Sequence, residues 1–133
     1  MAVSFGKDYE TKFNIESFLE YYKNGNGESV SAMADFFLKE LHSFYNTFII
    51  EEDRKWNILD LGCGPGIIYQ ISATKIASEI VLAEYASNNR QAVQQWLNKD
   101  PSCIDWTFAF NFVVKELEGG SEADVDKRQR KIF

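Results

Sequence analysis

Residues 59–66 read Leu59-Asp60-Leu61-Gly62-Cys63-Gly64-Pro65-Gly66, and this stretch decides the fold. An apolar run, Trp56 to Leu61, leads into it, and an apolar, helix-compatible run over 67–77 leads out. Glycine lacks a Cβ, so closely spaced glycines mark a backbone that turns sharply or lies against a ligand. A helix opening directly after such a turn points unpaired N–H groups at whatever sits there. The arrangement is that of a nucleotide-type cofactor site, and the spacing narrows the type. A dinucleotide loop reads Gly-x-Gly-x-x-Gly, which would place its third glycine where Ile67 stands. The spacing here is Gly-x-Gly-x-Gly, with Asp60 two residues before the first glycine. The competing reading, an ordinary glycine-rich turn, is weakened by the apolar strand that precedes it.

Working outward, the near-continuous apolar character of 56–61 predicts a strand buried on both faces of a parallel sheet. The run 67–77 predicts a helix, and Glu79-Ile80-Val81-Leu82-Ala83 a second strand, completing a βαβ unit. Glu84 then falls at the carboxyl end of the second strand, where an acid accepts two hydrogen bonds from a pair of ribose hydroxyls. Taken alone, such a residue is ordinary solvated surface; the glycine loop upstream makes it a candidate binding group. Ser87 or Asn88 is the expected cap of a helix over 88–99, which places Asn89 in its first turn.

Upstream of the loop, Asn14 caps a short helix over 14–23, and Asn24-Gly25-Asn26-Gly27 ends it. Val30, Met33, Ala34, Phe37, Leu41, Phe44 and Phe48 recur at three- and four-residue steps and predict one helix over 28–49, its apolar stripe lying on the sheet. Residues 51–55 form a polar connection. Residues 104–118 fit both helical and alternating patterns, and helix is the favoured assignment. Gly119-Gly120 break that segment, and the charged tail 121–133 is weakly helical by pattern. Phe18, Tyr21 and Tyr22 read as core aromatics, or, more sharply, as a lid. His42, the only histidine, reads as surface or core edge, and the basic run Lys127, Arg128, Arg130, Lys131 as a solvated helix face.

Composition bounds the class. With 133 residues, 45% hydrophobic and 15% aromatic, the chain holds a core and at most one domain. A formal charge of −6 argues against broad nucleic-acid binding, which relies on Lys and Arg at phosphates. No apolar run is long enough to span a membrane, and the N-terminus lacks signal-peptide character. Cys63 and Cys103 show no zinc or redox spacing, so no metal is expected and a reducing, cytoplasmic compartment fits best.

The loop belongs to a longer match. Asp60-Leu-Gly-Cys-Gly-Pro-Gly-Ile-Ile-Tyr-Gln-Ile-Ser-Ala73 resembles the glycine loop and the Tyr-Gln-x-x-Ser-Ala segment of the nicotinamide, phenylethanolamine and indolethylamine N-methyltransferase family, to which thioether S-methyltransferase also belongs. The resemblance continues through 79–89, Trp96-Leu-Asn-Lys-Asp-Pro101, Ile104-Asp-Trp106 and Leu117-Glu-Gly119, and at Phe13-Asn14 and Leu19-Glu-Tyr-Tyr22. It implies an α/β, Rossmann-like class I methyltransferase fold that binds S-adenosylmethionine (SAM), present here as an incomplete N-terminal portion. The single partial domain 1–133 then divides into a helical cover (1–50), a SAM-binding βαβ half (56–118) and a charged tail (119–133). Tyr22, Asp60, Gly62, Gly64, Tyr69, Glu84 and Asn89 fall on cofactor-binding positions. The implied partner is a small amine, pyridine or thioether acceptor.

The sequence departs from the family at four points. Glu84 replaces the usual aspartate, and Phe18 stands where tyrosine is typical. One extra residue precedes Tyr69, which in a continuing helix rotates the downstream side chains by about 100°. The family's adenine-side and acceptor-side groups correspond to positions beyond Phe133, so no catalytic residue is assigned. Two readings are open: the cofactor half of an active methyltransferase, or a decayed paralogue acting as a non-catalytic SAM binder or regulator. Either leaves an open sheet edge and predicts self-association.

Overall fold

A computed structural model describes residues 10–48 and 54–131. Residues 1–9 and 49–50 of the predicted cover, residues 51–53 of the polar connection and residues 132–133 of the tail lie outside the described residues; residue 49 is also the last of the long predicted helix. The order of elements is α1 (Ile15–Glu20), α2 (Ala32–Asn46), β1 (Trp56–Leu61), β2 (Ala77–Ala83), α3 (Ser87–Leu97), a helix running from α4 (Thr107–Phe110) into a π segment (Asn111–Leu117), and α5 (Glu122–Lys131).

β1 and β2 pair in parallel, with Ile58 opposite Ile80 and Leu61 opposite Ala83. The crossover between them is not the predicted helix. It consists of two 3₁₀ turns, Ile68–Gln70 and Ala73–Lys75. A 3₁₀ path rises about 2.0 Å per residue against about 1.5 Å in an α-helix. The short connection therefore covers the strand's length on its way back without a full helix. This turn region is the core's centre: Ile67, Ile68 and Ile71 are buried with Trp106, Phe110 and Val113.

The expected two-sided burial of β1 is also not realised. Its residues alternate, with Ile58 and Asp60 partly covered and Leu59 and Leu61 64% and 82% exposed. Val81, opposite Leu59, is exposed on the same face. Among the described residues that face is left largely open, so a strand composed for two layers has one full layer.

Ser31 caps α2 by accepting from the Ala34 N–H, so the helix begins later than predicted, and Val30 instead bridges Lys23. α2 buries Ala34 and Leu38, whereas Met33, Phe37 and Phe44 of the predicted stripe are exposed. The stripe is thus divided between the core and an apolar groove along β1 formed by Phe37, Leu41, Leu59 and Leu61.

Residues 107–117 are helical, and the π segment explains their mixed pattern. Its wider turn, shown by the Glu118 N–H bonding the Val113 carbonyl, buries Phe112, Val113 and Val114 in succession. Gly119 ends the helix at φ +71°, and Gly120 packs so closely that a Cβ there would lie 2.9 Å from Val114 Cγ1.

The tail is a regular helix rather than a loose one. α5 buries Val125 and brings Arg128 to Glu118, with Nη2 2.7 Å from Oε2. Arg128 also donates to the Ile71 carbonyl at 3.1 Å, and Lys75 Nζ lies 3.2 Å from Glu118 Oε1. Arg128 therefore departs from the expected solvated face: it ties α5 to the crossover. His42 sits at the core edge, as expected, with Nδ1 3.3 Å from Ser72 Oγ.

Candidate cofactor site

The glycine loop lies at the carboxyl ends of both strands, where open α/β sheets receive ligands. Gly62 and Gly64 adopt φ +78° and +66°, a left-handed backbone that side chains with a Cβ resist. Among the described residues nothing stands within 4 Å of the Cβ position at Gly62, so the loop is open to them there. Gly66 differs in role. A Cβ on it would lie 3.1 Å from the Trp106 indole, so this third glycine admits a core ring rather than a ligand.

Loop N–H groups do not point freely outward, because no α-helix begins after the loop. Gly62 and Cys63 both donate to the Ala83 carbonyl, at 2.7 and 3.3 Å. Gly64 donates to Glu84 Oε2 at 2.8 Å, and Ala86 donates to Glu84 Oε1, also at 2.8 Å. The acid at the end of β2 thus binds the loop on one side and the entry to α3 on the other. Neither Ser87 nor Asn88 caps α3. The N-cap is Ala86, and Glu10 serves the helix start instead, accepting from the Ser87 N–H at 3.0 Å. Two carboxylates at a helix N-terminus complement its dipole.

Asp60 accepts from Gln70 Nε2, which joins the end of β1 to the crossover. Cys63 lies between the two acids. Burial first, then Asp60 and Glu84, push its thiol up to about 11, so it remains protonated and is no nucleophile at neutral pH. Asn89 is completely buried, and neither its Nδ2 nor its Oδ1 has a hydrogen-bond partner among the described residues. A buried amide left this way carries an unmet hydrogen-bonding demand.

The N-terminal aromatics close over the loop. The Phe18 ring lies 3.8 Å from the Cβ position of Gly64 and 3.7 Å from that of Gly66. Tyr22 is 6% exposed, and its hydroxyl accepts from that of Tyr69 at 3.0 Å. Burial, reinforced by Tyr69, raises the Tyr22 phenol well above its ordinary range. Tyr69 stands in the first 3₁₀ turn of the crossover, and its side chain reaches Tyr22. Tyr21, by contrast, is exposed.

Gly62, Gly64, Glu84 and Cys63 form one cluster, with Asn89 at the adjoining helix start; Tyr22 and Tyr69 pair at its aromatic cover, and Asp60 braces the crossover through Gln70. Sequence reasoning did not single out Gln70 or Glu10. The Tyr69-Gln70 pair lies within the Tyr-Gln-x-x-Ser-Ala motif and could have exposed the first, whereas Glu10 reaches Ser87 from 77 residues away and carries no local signal. The residues present fit a nucleoside-bearing ligand. They offer a left-handed glycine turn with space beside it and a carboxylate, Glu84, at the edge of an open concavity. Among the described residues no His, Cys, Asp and Glu cluster has metal-binding geometry, and no helix is long and apolar enough to cross a membrane.

Comparison with known proteins bears on this geometry. The sequence profile of the NNMT/PNMT/TEMT family matches residues 2–132. Human nicotinamide N-methyltransferase (Homo sapiens) is 32% identical over 124 residues, covering 92% of this chain and 46% of the relative. Rabbit indolethylamine N-methyltransferase (Oryctolagus cuniculus) is 32% identical over 127 residues, covering 94% of this chain and 47% of the relative. Bovine phenylethanolamine N-methyltransferase (Bos taurus) is 28% identical over 88 residues, 66% of this chain and 31% of the relative. The chain spans about half the length of the first two relatives.

Proposed function

The chain belongs to the NNMT/PNMT/TEMT family, and from that premise we propose that it is the SAM-binding half of a small-molecule methyltransferase. One observation carries the reading: a carboxylate at the end of β2 meets the glycine loop at the carboxyl edge of a parallel strand pair. Glu84 is the group for the ribose hydroxyls, and the backbone around Gly62 and Gly64 the bed for the amino-acid end. Asn89 supplies the amide that hydrogen-bonds the nucleoside. Asp60 holds the turn through Gln70, and Tyr22 with Tyr69 forms the cover.

SAM, when bound, supplies an electrophilic sulfonium methyl for an acceptor nitrogen or sulfur. The chain's own contribution is placement: a fixed loop and an aromatic cover hold the donor in one orientation and keep water from it. No proton transfer is assigned to these residues. The acceptor class is an amine, pyridine or thioether.

A second reading, a SAM binder without transfer, draws on the uncovered face at Leu59, Leu61 and Val81, which leaves the sheet one-sided beside the site. Calorimetric titration of the folded chain with SAM and, separately, with NAD tests the main proposal. Preferential binding of SAM is expected; preference for NAD, or indifference to both, would sink it. In a methyl-transfer assay with nicotinamide and arylalkylamines, turnover would exclude the second reading. The 133-residue chain is expected to bind SAM without turnover.

A further inference from the structure

A second cavity, of about 580 Å³, opens between the end of α3, the loop that leads to α4, and one side of α5. The strands, the glycine loop and the N-terminal cover contribute no residue to it. Its inner wall is apolar and fixed. Trp106 is 1% exposed, and Trp96 stacks on Phe110 with the rings 6.0 Å apart. The Thr107 N–H donates to Asp105 Oδ1 at 2.9 Å, and Gln129 Nε2 donates to Thr107 Oγ1 at 3.1 Å, which ties the loop, α4 and α5 together. The opening carries both signs of charge. Lys99 and Arg130 stand on it with Asp126, and none of the three has an ionic partner among the described residues.

Lys99 is out of place by backbone chemistry. It closes α3, its N–H bonding the Trp96 carbonyl at 3.0 Å and the next N–H, of Asp100, bonding the Gln95 carbonyl at 2.9 Å. It does so at φ +56°, the one left-handed residue with a Cβ among the described residues. Glycine takes this position without steric cost, and Gly119 fills the corresponding place after the π segment at φ +71°. A lysine retained against that cost points to use of its side chain, and its side chain lines the cavity. From these observations we propose that the cavity is a binding site for a small zwitterion with an aromatic body, an aromatic amino acid. Lys99 and Arg130 receive the carboxylate, Asp126 the ammonium, and Trp96 and Trp106 the ring. A simple amine or a simple acid of the same shape leaves part of the charged rim without a partner, and so binds less well.

The site is independent of the cofactor reading and is tested without SAM. Proton–nitrogen NMR spectra of the full chain are followed during titration with L-phenylalanine, phenethylamine and 3-phenylpropionate. L-phenylalanine is expected to shift the amides of 96–107 and 126–130 and to leave those of the glycine loop in place. Each single-charge analogue should bind about tenfold more weakly. Lys99→Gly is expected to melt about 4 °C higher, as the backbone cost is removed, yet to bind L-phenylalanine at least about fivefold more weakly. Arg130→Gln, at the exposed end of α5, should show the same loss of binding without a change in melting. Parent-like binding by both variants, binding of either analogue as tight as that of L-phenylalanine, or no response of these amides at about 10 mM L-phenylalanine would overturn the proposal.

Discussion

The Tyr69 hydroxyl donates to the Tyr22 hydroxyl at 3.0 Å, linking the N-terminal cover to the crossover between the strands across 47 residues of sequence. The rings meet edge to face, 5.8 Å apart. Tyr22 is the more buried partner, so the bond replaces water that its oxygen cannot reach. Tyr69→Phe is expected to lower stability by about 1 kcal/mol, measured by urea unfolding. Ultraviolet titration of the same variant should still find the Tyr22 phenol elevated. Burial, the larger cause, remains and keeps it above the ordinary range.

Glu84→Ala removes the carboxylate from both of its backbone donors. Bonds to a charged group contribute about 1.5–3 kcal/mol each. SAM binding by Glu84→Ala is therefore expected to fall at least tenfold below the parent, and below Glu84→Asp. Calorimetric titration provides the comparison; equal losses for Ala and Asp would refute a ribose role.

Arg128 makes the main fork onto Glu118, a side chain only 8% exposed. Arg128→Met leaves that carboxylate with Lys75 alone at close range. Breaking a buried pair from one side typically costs about 3–5 kcal/mol, and the remaining lysine places the expected loss near the lower figure. Thermal unfolding should show it. Lys131→Ala, at the exposed end of the same helix, should change little.

His42 is expected to make the fold acid-sensitive. Its Nε2 accepts from Asn46 at 2.9 Å, which leaves Nδ1 to carry the proton toward Ser72. Burial lowers its pKa below the ordinary value of 6.5, outweighing the attraction of Glu118. The unfolded chain thus binds a proton that the folded one refuses. The contribution of neutral His42 is complete above about pH 6.5 and is lost as pH falls. Melting temperatures between pH 7 and pH 5 should decline more steeply in the parent than in His42→Asn.

The exposed face of β1 predicts association. Leu59, Leu61 and Val81 present apolar side chains beside a strand edge that pairs with no further strand among the described residues. Light scattering of the chain should show concentration-dependent self-association, and Leu61→Lys should reduce it. A monodisperse monomer at all concentrations would exclude this use of the face.

How far the sequence carried these conclusions differs by element. The strand–loop–strand order, the Asn14 cap and the proximity of Glu84 to the loop came from short-range chemistry, since glycine spacing and an acid at a strand end are local features. The crossover helix failed because an apolar run of this length satisfies a helical pattern, whereas the distance to be spanned is a property of the finished sheet. The stripe on α2 failed for a related reason: periodicity gives a face, and only packing decides how much of it is covered. Arg128 looked solvated because its partner, Glu118, and the Ile71 carbonyl come together only in the tertiary structure.

The π segment Asn111–Leu117 constrains how this protein can change length over evolution. A π turn holds one residue more than an α turn, so deleting a single residue there would let the helix relax into regular geometry with little local penalty. Glu118 would keep nearly its direction, because the wide turn already absorbs the extra residue, and its pairing with Arg128 would survive. A second deletion, with no wide turn left to absorb it, would swing Glu118 by about 100° around the axis and cost the tail helix its docking point on the crossover. Shortening of this segment is therefore limited to a single residue.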